Sequence, residues 1–200
     1  MMTNILIATY NHKKRAELKT LLSSFSSIKV LDLDDLEKAP PVIVEDGKTF
    51  RQNAVKKAVI TSKFFKGLVL ADDSGLEVEA LHGKPGVRSA RFARVNATDR
   101  ENTKKLLNLM EKVPAKDREG RFVCHIALAS EGELLENFEG VVNGYILTKP
   151  RGKNGFGYDP VFIPKNHEKS FAEMTGSYKN RISHRALALK KLKETIRKYL

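Results

Sequence analysis

One cysteine in 200 residues, Cys124, leaves no partner for an internal disulfide. It sits in Phe122-Val123-Cys124-His125-Ile126, where a buried structural thiol is the expectation. Zinc ligation is also disfavoured, because the five histidines (His12, His82, His125, His167 and His184) show no paired ligand spacing. No apolar run is long enough to span a membrane. No charged leader precedes the first strand-like run, Ile5-Leu6-Ile7-Ala8, so a cytoplasmic protein with no membrane partner is expected. The chain lacks a G-x-x-x-x-G-K-[ST] phosphate loop, the third glycine of a dinucleotide fingerprint and a serine nucleophile elbow. There is no internal repeat, low-complexity stretch or linker-like break in composition.

What is present points to one domain over 1–200, built as two lobes without a linker, with a real core at 41% hydrophobic residues. The formal charge of +12 permits a polyanionic partner. Its distribution is uneven. From Tyr178 to Leu200 there are eight Lys and Arg against one acid, Glu194, which places +7 in the last segment. That segment could bind phosphates or steer a nucleotide, or simply form a solvated helix face.

Strand and helix patterns alternate, so the fold class is α/β with substantial sheet. Asn4–Ala8 reads as a strand, His12–Phe25 as a helix, Ile28–Leu33 as a strand and Thr49–Phe65 as a helix. Ala39-Pro40-Pro41 breaks the pattern. Leu68–Ala71 reads as a strand ending at Asp72-Asp73-Ser74-Gly75, and Leu76–Leu81 as a separate strand. Thr98-Asp99-Arg100-Glu101 has capping-box spacing and opens a helix to Val113. Arg121–Ala129 and Leu134–Leu147 form a hairpin. Ser183 caps a last helix with the apolar stripe Leu189, Leu192, Ile196 and Leu200.

The most informative stretch is Leu68-Val69-Leu70-Ala71-Asp72-Asp73-Ser74-Gly75-Leu76. Two adjacent acids at the end of a buried strand are costly unless cations or hydrogen bonds satisfy them. Alternation sends Asp72 and Asp73 in different directions, so one can anchor the chain while the other serves as metal ligand or general base. A solvated strand-to-turn junction is the plain alternative. Thr9-Tyr10-Asn11-His12-Lys13-Lys14 lies between a strand and a helix start. There it suits either a phosphate cradle or an ordinary capped helix with surface lysines. Glu45 and Asp73, in turns bordering strands, form an oxygen-ligand pair of the kind Mg²⁺ takes together with substrate phosphates. Asn53 and Lys57 are one helical turn apart and share a face. In Gly155-Phe156-Gly157-Tyr158-Asp159-Pro160, glycines allow close approach, an aromatic can stack on a base, and Asp159 can meet a base edge. Those aromatics could equally be core plugs. Ser183-His184-Arg185 offers a planar donor fork suited to a purine edge or a phosphate.

Taken in order, these segments resemble the inosine triphosphate pyrophosphatase family. The matching stretches are Ala8–Lys14, Thr49–Ala58, Ala71–Leu76, Pro85-Gly86-Val87-Arg88-Ser89-Ala90-Arg91, Gly155–Pro160 and Ser183–Arg185. The resemblance implies two α/β lobes around a long mixed sheet with the active site in a cleft between them, and a homodimer. It implies Mg²⁺-dependent hydrolysis of ITP, dITP or XTP to the monophosphate and pyrophosphate, with Mn²⁺ a possible substitute. Asp73 then matches the general base and a metal ligand, and Glu45 a second metal ligand. Thr9, Asn11, Lys14, Lys57 and Ser74 would hold the triphosphate. Phe156, Asp159, Lys179, His184 and Arg185 would enclose and read the base. Tyr10, His12, Lys13, Asn53, Gly157 and Tyr158 complete the implied substrate-binding set. Two departures stand out: Tyr10 replaces a common glycine, and Lys153-Asn154 precede Gly155 where a further glycine is usual.

Two other readings compete. One is a pyrophosphatase for other modified triphosphates with a smaller base pocket. The other is a basic RNA-binding module built on the C-terminal helix, which leaves Glu45, Asp72 and Asp73 unexplained. The partner expected is therefore a small-molecule nucleotide, with no stable nucleic-acid partner.

Overall fold

A computed structural model describes residues 3–23, 25, 27–38 and 40–199. Ala39 of the expected break and Leu200 of the expected stripe lie outside them. The described chain is mixed α/β. Its six strands are β1 (Thr3–Ile7), β2 (Ile28–Asp32), β3 (Leu68–Val78), β4 (Glu119–Ser130), β5 (Glu133–Ile146) and β6 (Phe162–Pro164). The α-helices are α1 (His12–Leu22), α2 (Phe50–Ser62), α3 (Asp99–Leu109), α4 (Gly176–Ile182) and α5 (His184–Thr195). Strand order is β2-β1-β3-β4-β5-β6. β1 runs parallel to β2 and β3, with Ile5 opposite Val30 and Leu68, whereas β5 and β6 are antiparallel, so the sheet is mixed.

The chain forms two compact units. The first comprises Met1–Asp73, Cys124–Gly140 and Arg185–Leu200. β1 and the parts of β3 and β4 in this unit are buried on both faces, and their residues sort by parity as extended chain requires. Ile5, Ile7, Leu68, Leu70, Cys124, Ile126 and Leu128 share one core with Leu18 and Leu22 of α1 and Ala188, Leu189, Leu192 and Ile196 of α5. Leu6, Ala8, Val69, Ala71, Ala127 and Ala129 face the opposite way and pack with Ala54 and Ala58 of α2. This parity decides where the acids that follow Ala71 go. Asp72 continues the α1/α5 face and Asp73 the α2 face.

The second unit comprises Ser74–Val123 and Val141–His184. Its core joins Leu76, Val78, Leu106, Met110, Ile146 and an aromatic group of Phe122, Phe162 and Phe171. Ring centroids in that group are 4.8 to 5.9 Å apart, at the spacing aromatic pairs prefer. Buried Arg118 ties the end of α3 to the end of β5. It donates to the carbonyls of Met110 (2.6 Å) and Val113 (3.3 Å) on one side and of Ile146 (2.8 Å) and Leu147 (2.9 Å) on the other.

Several element boundaries differ from the sequence reading. α1 stops at Leu22 and α2 at Ser62. The last segment holds two helices, because Ser183 closes α4 before α5 begins at His184. The largest correction is β3. Asp72-Asp73-Ser74-Gly75 is not a turn but the middle of an eleven-residue strand.

Candidate active site

Strand β3 stays extended through its acids because each acid meets a cation or an amide supplied from elsewhere in the first unit. Asp72 is fully buried. Its Oδ2 lies 3.4 Å from Lys14 Nζ and 3.4 Å from Arg185 Nε. Arg185 is itself buried, and its other end pairs with Glu17 of α1. Asp73, also buried, accepts from Asn53 Nδ2 at 2.8 Å and lies 3.9 Å from Lys14 Nζ. The two carboxylates therefore diverge, one toward α1 and α5 and the other toward α2.

Helix α2 begins at Thr49, whose side chain caps the Gln52 amide while Gln52 reaches back, a complete capping box. One turn in, Asn53 is held from two sides. Its Oδ1 accepts from Gly47 N at 2.8 Å while its Nδ2 donates to Asp73, which fixes the orientation of the amide. A Cβ at Gly47 would stand 2.5 Å from that Oδ1, so only glycine permits the approach. One turn further, Lys57 Nζ donates to Glu45 Oε1 and to the Asp72 carbonyl, both at 2.5 Å. The Asn53–Asp73 and Lys57–Glu45 pairs are thus neighbours on one face of α2, with Lys57 also bound to the backbone beside Asp73.

Burial pushes the Asp73 carboxyl above the ordinary carboxylate range, and the like charge of Glu45 adds to this against the pull of Lys14 and Lys57. For Lys14, burial works to lower the pKa, but the carboxylates of Asp72 and Asp73 outweigh it and the net shift is upward. Lys14 is therefore a held cation beside the acids.

Between β1 and α1, Thr9 is buried and its Oγ1 accepts from Asn11 N at 3.2 Å. Asn11 caps α1, its Oδ1 accepting from the amides of Lys13 and Lys14 at 3.1 Å each. Asn11 Oδ1 thus already serves two of the helix-start amides. The sites for an anion are then the lysine ammonium and the polar side chains more than a bare helix end. The Tyr10 hydroxyl donates to Pro40 O at 3.2 Å, His12 Nδ1 lies 2.6 Å from Arg15, and Lys13 is exposed.

The second unit holds a separate cluster. Asp159, buried, accepts from Phe156 N at 2.8 Å and from Lys179 Nζ at 2.6 Å. The Lys179 ammonium also lies 4.8 Å from the Phe156 ring centroid, a cation–π contact beneath a half-buried aromatic. Tyr158 belongs to the core instead. Its hydroxyl donates to Ser89 O at 2.9 Å, and burial drives its pKa upward. Gly157 O accepts from Thr103 at 3.3 Å, and His184 stacks on Phe122 at 4.7 Å and 6°. Ser74 is half-buried in β3 immediately after Asp73.

Within the first unit, then, Thr9, Asn11, Lys14, Glu45, Asn53, Lys57 and Asp73 cluster as a cationic and carboxylate group. Within the second, Phe156, Asp159 and Lys179 form an aromatic and ionic one. Arg185 belongs to the first by its contacts with Asp72 and Glu17. Glu17 escaped the sequence reading, although Asn11, Lys14 and Glu17 at three-residue spacing on one helix were a signal that could have found it.

The donor chemistry fits a hard divalent cation. Glu45 and Asp73 are mutually repelling carboxylates, and among the described residues no three His, Cys, Asp or Glu side chains gather as a closed metal site. Such a pair suits Mg²⁺, which takes few protein ligands and completes its shell with phosphate oxygens and water.

Residues 5–195 match the Ham1 family. The chain is 48% identical over 196 residues to the dITP/XTP pyrophosphatase of Thermoanaerobacter pseudethanolicus, covering 98% of each chain. It is 45% identical over 195 residues to the dITP/XTP pyrophosphatase of Shouchella clausii, covering 98% of this chain and 97% of that one. Among solved structures it is similar to a HAM1 protein from Coxiella burnetii, with a TM-score of 0.87 and 40% identity over 98% of this chain and 100% of that one. The Ham1 protein of Staphylococcus aureus gives a TM-score of 0.83 at 36% identity, covering 98% of each.

Proposed function

The chain belongs to the Ham1 family, and from that membership we infer that it is a nucleoside-triphosphate pyrophosphatase that hydrolyses deaminated purine nucleoside triphosphates. The resemblance seen across six sequence segments agrees with this. The reaction we propose is attack of water at the α-phosphorus, giving the nucleoside monophosphate and pyrophosphate. The observation that supports it best is the buried acid Asp73, oriented by Asn53 and flanked by Lys14 on one side and the Lys57–Glu45 pair on the other.

In this reading Asp73 takes the proton from the attacking water. Its raised pKa makes it a better base than a surface carboxylate. Lys14 and Lys57 hold the phosphates, with Thr9, Asn11 and Ser74 adding polar contacts, and offset the charge that grows on the departing pyrophosphate. Glu45 and Asp73 would hold Mg²⁺, or Mn²⁺ in its place, whose contribution when bound is Lewis-acid polarisation of phosphate oxygens. Phe156 stacks on the base, and the buried Lys179–Asp159 pair and Arg185 supply its polar recognition. The family resemblance further supports a cytoplasmic homodimer with no stable nucleic-acid partner. Among the described residues no helix is long and apolar enough to cross a membrane.

The test is a panel of ITP, XTP, dITP, ATP, GTP and modified pyrimidine triphosphates with Mg²⁺, scored for pyrophosphate, and repeated in excess EDTA. Deaminated purines should lead by orders of magnitude, and chelation should abolish turnover. Preference for a pyrimidine triphosphate would favour the smaller-pocket alternative, and full activity in EDTA would remove the metal from the mechanism.

A further inference from the structure

The loop that carries Phe156 is fastened to the segment 170–174 by hydrogen bonds from backbone and side chains. Lys153 N and Asn154 N both donate to the Ala172 carbonyl, at 3.1 and 3.0 Å, while Arg151 N closes the loop on itself at Pro160 O, 2.8 Å away. Ser170 Oγ donates to the Arg151 carbonyl at 2.8 Å. Glu173 Oε2 receives both Arg151 Nε (3.0 Å) and Ser170 N (2.8 Å). The approach is so close that a Cβ at Gly152 would fall 2.3 Å from Ala172 backbone atoms, and Gly152 has a φ of +84°.

One contact in this set does more than fasten. Asn154 Nδ2 donates to the Met174 carbonyl at 3.0 Å. The next residue, Thr175, is the N-cap of α4, and α4 carries Lys179. Lys179 in turn reaches Asp159 and lies against the Phe156 ring, while Asp159 holds the Phe156 amide. Asn154 therefore closes a ring of contacts running from the loop to Met174, along α4 to Lys179, and back to Phe156.

We propose that Asn154 is a positioning residue for base binding, holding the Phe156 loop in register with the helix that bears Lys179. The inference rests on the reading of Phe156 as the base-stacking ring. Asn154 does not touch the base. It acts by keeping Phe156 and the Lys179–Asp159 pair in their mutual arrangement before substrate arrives, so that less ordering is left to be done on binding. Because such binding is shared by ground and transition states, its loss should raise KM and leave kcat alone.

Inosine monophosphate carries the base and pyrophosphate does not, so the two products used as inhibitors separate the two ends of the substrate. One partly buried hydrogen bond is worth about 1 kcal/mol, so Asn154→Ala should raise the IMP inhibition constant and the KM for ITP about threefold to tenfold. kcat and inhibition by pyrophosphate should stay within about twofold, and the melting temperature should barely move, since the side chain is exposed and the backbone bonds to Ala172 remain. Asn154→Asp keeps the shape but turns the donor into an acceptor facing a carbonyl, and should be at least as damaging. Unchanged IMP inhibition in Asn154→Ala, or an equal weakening of pyrophosphate, would overturn the proposal. Phe156→Ala is measured in parallel. If it weakens IMP while Asn154→Ala does not, only the positioning role is lost; if it leaves IMP unchanged, the base-stacking reading itself fails.

Discussion

Replacing Arg185 with methionine should destabilise the protein far more than an ordinary change at a helix start. The guanidinium is 1% exposed and stands between the carboxylates of Asp72, 0% exposed, and Glu17. Its distances to Asp72, 3.4 and 3.5 Å, exceed a good hydrogen bond, so that half of the interaction is mainly coulombic, whereas the Glu17 contact is short and direct. Methionine fills much of the volume but strands the buried charge of Asp72 and the half-buried charge of Glu17, with Lys14 left as the nearby cation for Asp72. Breaking a buried pair in this way costs about 3–5 kcal/mol. For a chain of this length that corresponds to a melting temperature lower by about 6–20 °C. Adding Glu17→Gln should recover part of the loss, because one stranded charge is then neutral, so the two substitutions should be strongly non-additive. The assay is thermal and urea unfolding of the two single variants and the double variant. A melting temperature within about 2 °C of the parent, or simple additivity, would refute the reasoning. The same variant, assayed where it remains folded, should lose more kcat/KM for ITP than for ATP, since the fork suits a keto oxygen at the six position.

Asp73→Asn should leave the fold intact and lower kcat by about 10²–10⁴, because the amide can neither accept the proton nor carry the charge; turnover near the parent value would reduce Asp73 to a structural acid. Arg118→Met should lower the melting temperature with unchanged KM, because the buried carbonyls of Met110 and Ile146 lose their donor at about 1–3 kcal/mol each; a shifted KM at unchanged stability would contradict this. Glu101, whose pKa is held down to about 2 chiefly by the Thr98 amide and also by Arg94, contributes stability that is complete above its ordinary value of 4.5 and disappears as pH falls through about 2. The melting-temperature gap between the parent and Glu101→Gln should therefore close on acidification across that window, and a gap independent of pH would exclude the linkage.

Local signals were legible wherever the physics is local. The capped start of α1, the box at Thr98, the β4–β5 hairpin and the shared face of Asn53 and Lys57 all follow from spacing within a few residues. β3 was not legible, because Asp-Asp-Ser-Gly favours a turn by local propensity. It stays extended only because Lys14, Asn53, Lys57 and Arg185 satisfy its acids and its backbone from distant positions. The Arg185–Glu17 pair joins residues 168 apart in sequence: helical spacing could place Glu17 on the Lys14 face, but nothing local names Arg185 as its partner. α4, at seven residues, is too short for hydrophobic periodicity to register, so its contribution of Lys179 to Asp159 became visible only with the structure. Tyr158 was left open between stacking ring and core plug, and its bond to Ser89 places it in the core.

Identification of the products made from ITP in the presence of Mg²⁺ is the most direct test of the proposed chemistry. Attack at the α-phosphorus, with Asp73 as base and Lys14 and Lys57 on the phosphates, requires IMP and pyrophosphate in equal amounts from the first turnover. In water labelled with ¹⁸O, the label should enter IMP and not pyrophosphate. IDP with orthophosphate as the initial products, or label in the pyrophosphate, would contradict it.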